Sequence, residues 1–192
     1  YRIGGRQLKS VVFRSQQDGA VAAVLYVTDR ELAAYDWSRL SFKGFMLYYS
    51  DPKSPASVAT EELIVHGERF LEDTILRRAY RYNAEGFFQV NIDPYEHALS
   101  DMAAYIDREV DIVDMYAGVG SIGLSLPYSQ LTSVELDESS SGQASINAGN
   151  DPRVRVVLAS SEDSLEYICE DKVIVVDPPR TGLHPKVVEK LC

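Results

Sequence analysis

The stretch VDIVDMYAGVGSIG, residues 110–123, decides the fold. An apolar run, VDIVDMYAG, reads as a buried strand, and it leads into Gly118-Val119-Gly120-Ser121-Ile122-Gly123. That G-x-G-x-x-G string follows a strand, and GSIGLSLPY after it reads as the start of a short helix. Glycines there let a ligand come close to the backbone. By itself the loop suits NAD, FAD or S-adenosyl-L-methionine equally.

Working outward, strands and helices alternate. DPYEHALSDMAAYIDRE precedes the loop and reads as a helix, with Asp93 as N-cap and Pro94 at the first helical position. After the loop come a strand (LTSVELD), a helix (SSSGQASINAGN) and a strand (VRVVLAS). A short helix (SEDSLEYI), a strand (KVIVVDPP) and a helix (HPKVVEKLC) follow. Apolar strands alternating with helices predict a parallel sheet covered on both faces, so residues 93–192 read as an α/β, Rossmann-like domain. Residues 1–92 have another texture. VVFRSQ, AVAAVLYVT, GFMLYYS, ELIVHG and GFFQVN are β-type runs separated by turn signals. One helix is expected in TDRELAAYDWSRL, with Thr28 as N-cap and Glu31 three residues on. This half reads as a small α+β domain.

Three acids narrow the ligand. Asp114 lies four residues before Gly118, near the carboxyl end of its strand, where ligands bind in such sheets. A carboxylate there suits the ammonium of S-adenosyl-L-methionine better than a pyrophosphate; its plainer role is to hold loop amides. Glu135 ends the next strand and could take both ribose hydroxyls, or be a solvated strand-end acid. Asp177 opens Asp177-Pro178-Pro179-Arg180, where two prolines fix φ and hold the acid rigidly. A dinucleotide fold has no reason to place that turn there.

Composition sets limits. The net charge is −10, with 13 basic and 16 acidic side chains in residues 1–110 against 6 and 13 in residues 111–192. A broad, non-specific grip on nucleic acid needs clustered Lys and Arg, and this chain does not supply them. A local patch is conceivable in LRRAYRYN, residues 76–83, where arginines alternate with tyrosines. The alternative is a strand whose tyrosines pack inward. No apolar run is long enough for a membrane helix. Cys169 and Cys192 form no metal or disulfide pattern, His66, His97 and His184 are scattered, and the default location is a reducing cytoplasm.

With GFFQVN, DMYAGVGSIGL and VVDPPRTGL in this order, the chain resembles the RNA uracil-C5 methyltransferases, the S-adenosyl-L-methionine-dependent enzymes of tRNA and ribosomal RNA. The earlier stretches VVFRSQQDGAVAAVLYV and ELIVHGERFLEDTI look like that family's central domain. The resemblance implies a class I methyltransferase domain, expected to lack its last strands, after a central domain. It implies RNA as partner and no membrane or metal; the cysteines that hold an iron–sulfur cluster in some members are not in this sequence. Residue by residue, Gln89 would contact S-adenosyl-L-methionine near its methyl group. Tyr116 and Ser121 would flank the cofactor beside Gly118 and Gly120, and Glu135 would hold the ribose. Ser160 stands where the family has Asn or Asp against the adenine. Asp177 would help place methyl donor and uracil, which makes Gln89 and Asp177 the expected catalytic residues.

Uracil must be flipped out to be reached. Phe87 or Phe88 could stack on it, but alternation along a strand would let only one do so. The family's nucleophile is a cysteine on a later strand, followed by a general-base Glu. Cys192 lies only 15 residues after Asp177, on a helix running away from the strand ends. Cys169 reads as helix core. The expectation is therefore a piece of such an enzyme that ends before its nucleophile. Three readings compete. An amino-group methyltransferase would want an aromatic where Arg180 stands. The other two are a non-catalytic module of the same fold and a dinucleotide oxidoreductase resting on the glycine string alone.

Overall fold

The computed structural model describes residues 3–106 and 110–192. The chain divides into two compact units, Tyr1–Asp73 with Asn83–Gly86, and Thr74–Tyr82 with Phe87–Cys192.

In the first unit β1 (Leu8–Ser15), β2 (Val21–Val27), β3 (Gly44–Tyr49) and β4 (Glu61–Gly67) form one sheet in that order. The β2–β3 pair is parallel and the two outer pairs are antiparallel. Ala23, Leu25, Val27, Phe45 and Leu47 build a core on one face with Leu32 and Trp37. The Trp37 ring stacks on Phe45 at 5.0 Å.

The helix expected from Thr28 onward is only a 3-10 turn, Arg30–Ala34, and Asp29 caps it. The Thr28 hydroxyl donates instead to the Arg6 carbonyl, while Asp29 accepts the Glu31 N–H and a Gln7 amide hydrogen. The Trp37 indole then donates to the Leu32 carbonyl, which an α-helix would have needed for itself.

Strands β5 (Phe70–Ile75) and β6 (Arg78–Asn83) pair as a two-stranded ribbon. Its turn, Leu76-Arg77, has φ of 47° and 67°, the left-handed pair that a tight hairpin demands. Neither residue favours it.

In the second unit β7 (Asp111–Met115), β8 (Leu131–Glu135), β9 (Val154–Leu158) and β10 (Lys172–Val176) form a parallel sheet in the order β10-β7-β8-β9. The inner strands β7 and β8 are largely buried, as suits a covered parallel sheet, while the edge strands β9 and β10 are mostly half-buried or exposed. Val113, Met115 and Val134 face Ile168 and Val187 in one core. The chain steps from β7 through β8 to β9 on one side and returns to β10 on the other. The strand order therefore reverses between β7 and β10, which is where open α/β sheets bind ligands.

Three helices accompany the sheet. α1 (Ile92–Ala104) starts after Asn91, so Asp93 is not its N-cap and Pro94 sits within the first turn, where a missing N–H costs nothing. The rest of its expected extent includes residues 107–109, which lie outside the described residues. α2 (Glu138–Ala148) is capped by Asp137, which accepts the Ser140 N–H, and ends at Gly149. α3 (Pro185–Leu191) starts after His184, whose ring nitrogen accepts the Lys186 N–H. The short helices expected in GSIGLSLPY and SEDSLEYI are 3-10 turns, Gly123–Ser125, Ser161–Asp163 and Leu165–Tyr167. GFFQVN forms no strand: residues 87–90 are an irregular segment leading into α1. Phe88 is buried and Phe87 exposed. Among the described residues, no helix is long and apolar enough to cross a membrane.

The ribbon turn gives a direct test. Left-handed backbone costs an ordinary residue about 1 kcal/mol or more, and Asn-Gly accepts it readily. Leu76→Asn with Arg77→Gly should stabilise the chain by about 1 kcal/mol in thermal or urea unfolding; a lower midpoint would contradict the turn assignment.

Candidate functional site

The site is built around the loop that leaves β7. Tyr116 has φ 64°, a conformation that costs a bulky residue free energy and that collects at functional sites. Gly120, with φ 82°, turns the chain back through its N–H to the Ala117 carbonyl. No α-helix follows, only the 3-10 turn at Gly123–Ser125, so no helix dipole serves an anion here. Two carboxylates hold the loop instead. Glu135 Oε2 accepts the Gly118 N–H at 2.7 Å, and Asp114 Oδ2 accepts the Gly123 N–H at 2.8 Å. A Cβ on Gly123 would lie 2.8 Å from Asp114 Oδ2 and 2.9 Å from Leu131 Cδ1, so nothing larger than glycine fits.

Asp114 is completely buried. Its Oδ1 and the Ser133 hydroxyl have no hydrogen-bond partner among the described residues, and the two residues are paired across β7 and β8 on one face. Burial pushes the Asp114 carboxyl up to about 7; the Gly123 N–H opposes this, and the charges of Asp177 and Glu135 add to it. The three acids stand at the carboxyl ends of neighbouring strands, β10, β7 and β8. Glu135, half-buried, also accepts the Asp137 N–H through Oε1. Asp177, first residue after β10, is exposed.

The other expected residues fall around this centre. Ser121 Oγ shares a hydrogen bond with Tyr95 Oη at 2.9 Å. Tyr116 Oη accepts the His184 N–H at 3.4 Å. Ser160 follows β9 and donates to Asp163 Oδ2 at 2.8 Å. Gln89 is half-buried in the segment before α1. Phe88, just before it, stacks on Tyr82 with centroids 3.9 Å apart. Cys169 is exposed, not helix core, and Cys192 is exposed after the end of α3. Among the described residues, no group of three His, Cys, Asp or Glu side chains could hold a metal.

Several supports of the loop carry no signal in sequence. Asn147 on α2 accepts the Arg81 N–H and donates to the carbonyls of Arg81 and Val119. Arg78 donates to the carbonyls of Leu124 and Asn147, and Tyr80 bonds Ser125. Tyr80 and Tyr82 are buried, so LRRAYRYN is the inward-packed strand of the two readings, and Arg78 ties the loop down. Leu136, 69% exposed next to Glu135, presents apolar surface there.

The chain is 32% identical over 142 residues to an uncharacterized RNA methyltransferase of Enterococcus faecalis, covering 68% of this chain and 31% of that protein. It is 28% identical over 148 residues to the tRNA (uracil(54)-C(5))-methyltransferase of Pyrococcus furiosus, covering 76% of this chain and 36% of that protein. Among solved structures, the Pyrococcus abyssi tRNA (uracil-54, C5)-methyltransferase in complex with S-adenosyl-L-homocysteine superposes with a TM-score of 0.76 at 22% identity. That match covers 96% of this chain and 47% of that one. No protein-family model matches. The fold is that of a class I methyltransferase, as the motifs predict. The chain is similar in sequence to RNA methyltransferases, a tRNA (uracil(54)-C(5))-methyltransferase among them, and it spans about a third of the length of the curated relatives it matches.

The Asp114 carboxyl sets a pH dependence. An unfolded aspartate loses its proton near pH 4, whereas this one keeps it to about 7. Between those values the folded state holds a proton that the unfolded state has lost. Its contribution to stability therefore falls as pH rises through that window and levels off above it. Asp114→Asn keeps an acceptor for Gly123 and removes the titration. Urea unfolding should show the variant gaining on the parent by a few kcal/mol between pH 4 and pH 8; parallel pH profiles would contradict the burial argument.

Proposed function

We propose that the chain carries the cofactor-binding and base-facing part of an enzyme that transfers a methyl group from S-adenosyl-L-methionine to C5 of a uridine in tRNA or ribosomal RNA. One observation carries this reading. Asp177, Asp114 and Glu135 stand at the carboxyl ends of three neighbouring parallel strands, β10, β7 and β8, around a loop held by carboxylates at the strand-order reversal. An acid-rich mouth suits a cationic cofactor and repels a pyrophosphate.

The residues present fit that cofactor. Glu135 spends one bond per oxygen on backbone amides, which leaves lone pairs for the two ribose hydroxyls. Asp114 holds Gly123 from the interior and acts on the amino-acid end of the cofactor by fixing the loop that faces it. Leu136 offers apolar cover to the adenine, and the Ser160–Asp163 pair supplies polar groups beyond β9. S-adenosyl-L-methionine, when bound, supplies an electrophilic methyl group. Gln89, with a donor and an acceptor, orients the acceptor base or the donor's methyl end. Phe87, exposed one residue before the buried Phe88, offers a ring for a flipped uracil to stack on. Asp177 completes the mouth behind its two prolines.

Neither cysteine is assigned the nucleophile's role, since one follows a 3-10 turn and the other ends α3. The roles given to this chain are binding and orientation. Two unpaired cysteines fit a reducing compartment, and the cytoplasm is the proposed location.

Calorimetric titration with S-adenosylhomocysteine tests the reading. The parent should bind, and Glu135→Gln should weaken binding by about 10-fold or more, the loss of charge-assisted hydrogen bonds. NADH should give no heat. Binding of NADH in preference, or a folded parent that ignores S-adenosylhomocysteine, would overturn it.

A further inference from the structure

Tyr95 belongs to no motif in the sequence, yet its hydroxyl reaches the centre of the candidate site. It stands in the first turn of α1, its N–H donating to the Asn91 carbonyl at 3.2 Å. Its Oη lies 2.9 Å from Ser121 Oγ in the middle of the glycine loop. Burial pushes the phenol up to about 12, and the charges of Asp114 and Asp177 act in the same direction, so it stays neutral at any working pH. The segment carrying Gln89 is thus fixed at both ends. Upstream, Phe88 is stacked on Tyr82. Downstream, the first turn of α1 is tied to the loop by the Tyr95–Ser121 bond.

We infer that Tyr95 is a positioning residue: through Ser121 its hydroxyl locks the Gln89 segment and the glycine loop into one register, so that the base-facing and cofactor-facing parts of the site are set together. The inference rests on the proposed function for its consequence, while the lock itself is a property of the free chain. Ser121 hangs between Gly120 and Gly123, whose amides are held by Ala117 and Asp114. Loosening Ser121 therefore loosens the bonds on either side of it. A neutral hydroxyl pair of this kind is worth a factor of about 5 in an equilibrium.

Amide hydrogen exchange in the ligand-free chain tests the lock. Tyr95→Phe keeps the ring and removes only the hydroxyl. Residues 118–123 and 89–92 should both exchange about 5-fold faster, with β7 and β8 unchanged. Ser121→Ala should reproduce that pattern, the double variant should add nothing, and Ser121→Thr should restore the parent rates. Loop exchange unchanged in Tyr95→Phe, or a uniform rise across the sheet, would overturn the inference. Titration with S-adenosylhomocysteine separates the two claims. A parent that binds, and a Tyr95→Phe variant that binds about 5-fold more weakly, support both. A parent that does not bind overturns the functional reading and the consequence drawn from it, and exchange alone then decides the lock. Equal binding by parent and Tyr95→Phe overturns the positioning role.

Discussion

The structure of the second unit turns on a carboxyl group held where water cannot reach it. Asp114, completely buried in β7, accepts the Gly123 N–H and so fixes the far end of the loop that begins two residues later. Glu135 fixes the near end through Gly118. In many glycine loops an α-helix begins at once, and its free amides and dipole shape an anion site. Here the chain makes a 3-10 turn, and acids hold two of the loop amides, those of Gly118 and Gly123.

That arrangement needs outside support, because a loop held at two amides remains loose between them. Asn147 supplies it by bridging Arg81 on β6 and Val119 in the loop, and Arg78 and Tyr80 bind the turn that follows. The second unit accordingly includes a piece of chain, Thr74–Tyr82, that precedes the parallel sheet by about thirty residues. The same contacts explain why the arginines and tyrosines of LRRAYRYN are not all spread on a surface: Tyr80 and Tyr82 are buried, and Arg78 is tied to the carbonyls of Leu124 and Asn147.

Much of this was legible in sequence. The four parallel strands, the glycine loop and the acids at the strand ends follow from apolar runs broken by Asp114, Glu135 and Asp177. What was not legible depended on contacts between distant residues. Thr28 looks like a helix cap until its hydroxyl is taken by Arg6. GFFQVN alternates like a strand, but Phe88 is drawn onto Tyr82 and the helix begins at Ile92, which leaves no length for pairing. Asn147 and Tyr95 meet the loop across 28 and 26 residues, and no local pattern announces either.

The loop between β7 and β8 and the acids around it are the proposed seat of an adenosyl sulfonium cofactor. A crystal structure of the chain with S-adenosylhomocysteine tests it most directly. The ribose should lie on Glu135, the amino-acid end against the glycine loop and the sulfur facing Asp177 and Gln89. Density for the ligand elsewhere, with the Gly118–Glu135 and Gly123–Asp114 bonds and the acids around them left bare, would contradict it.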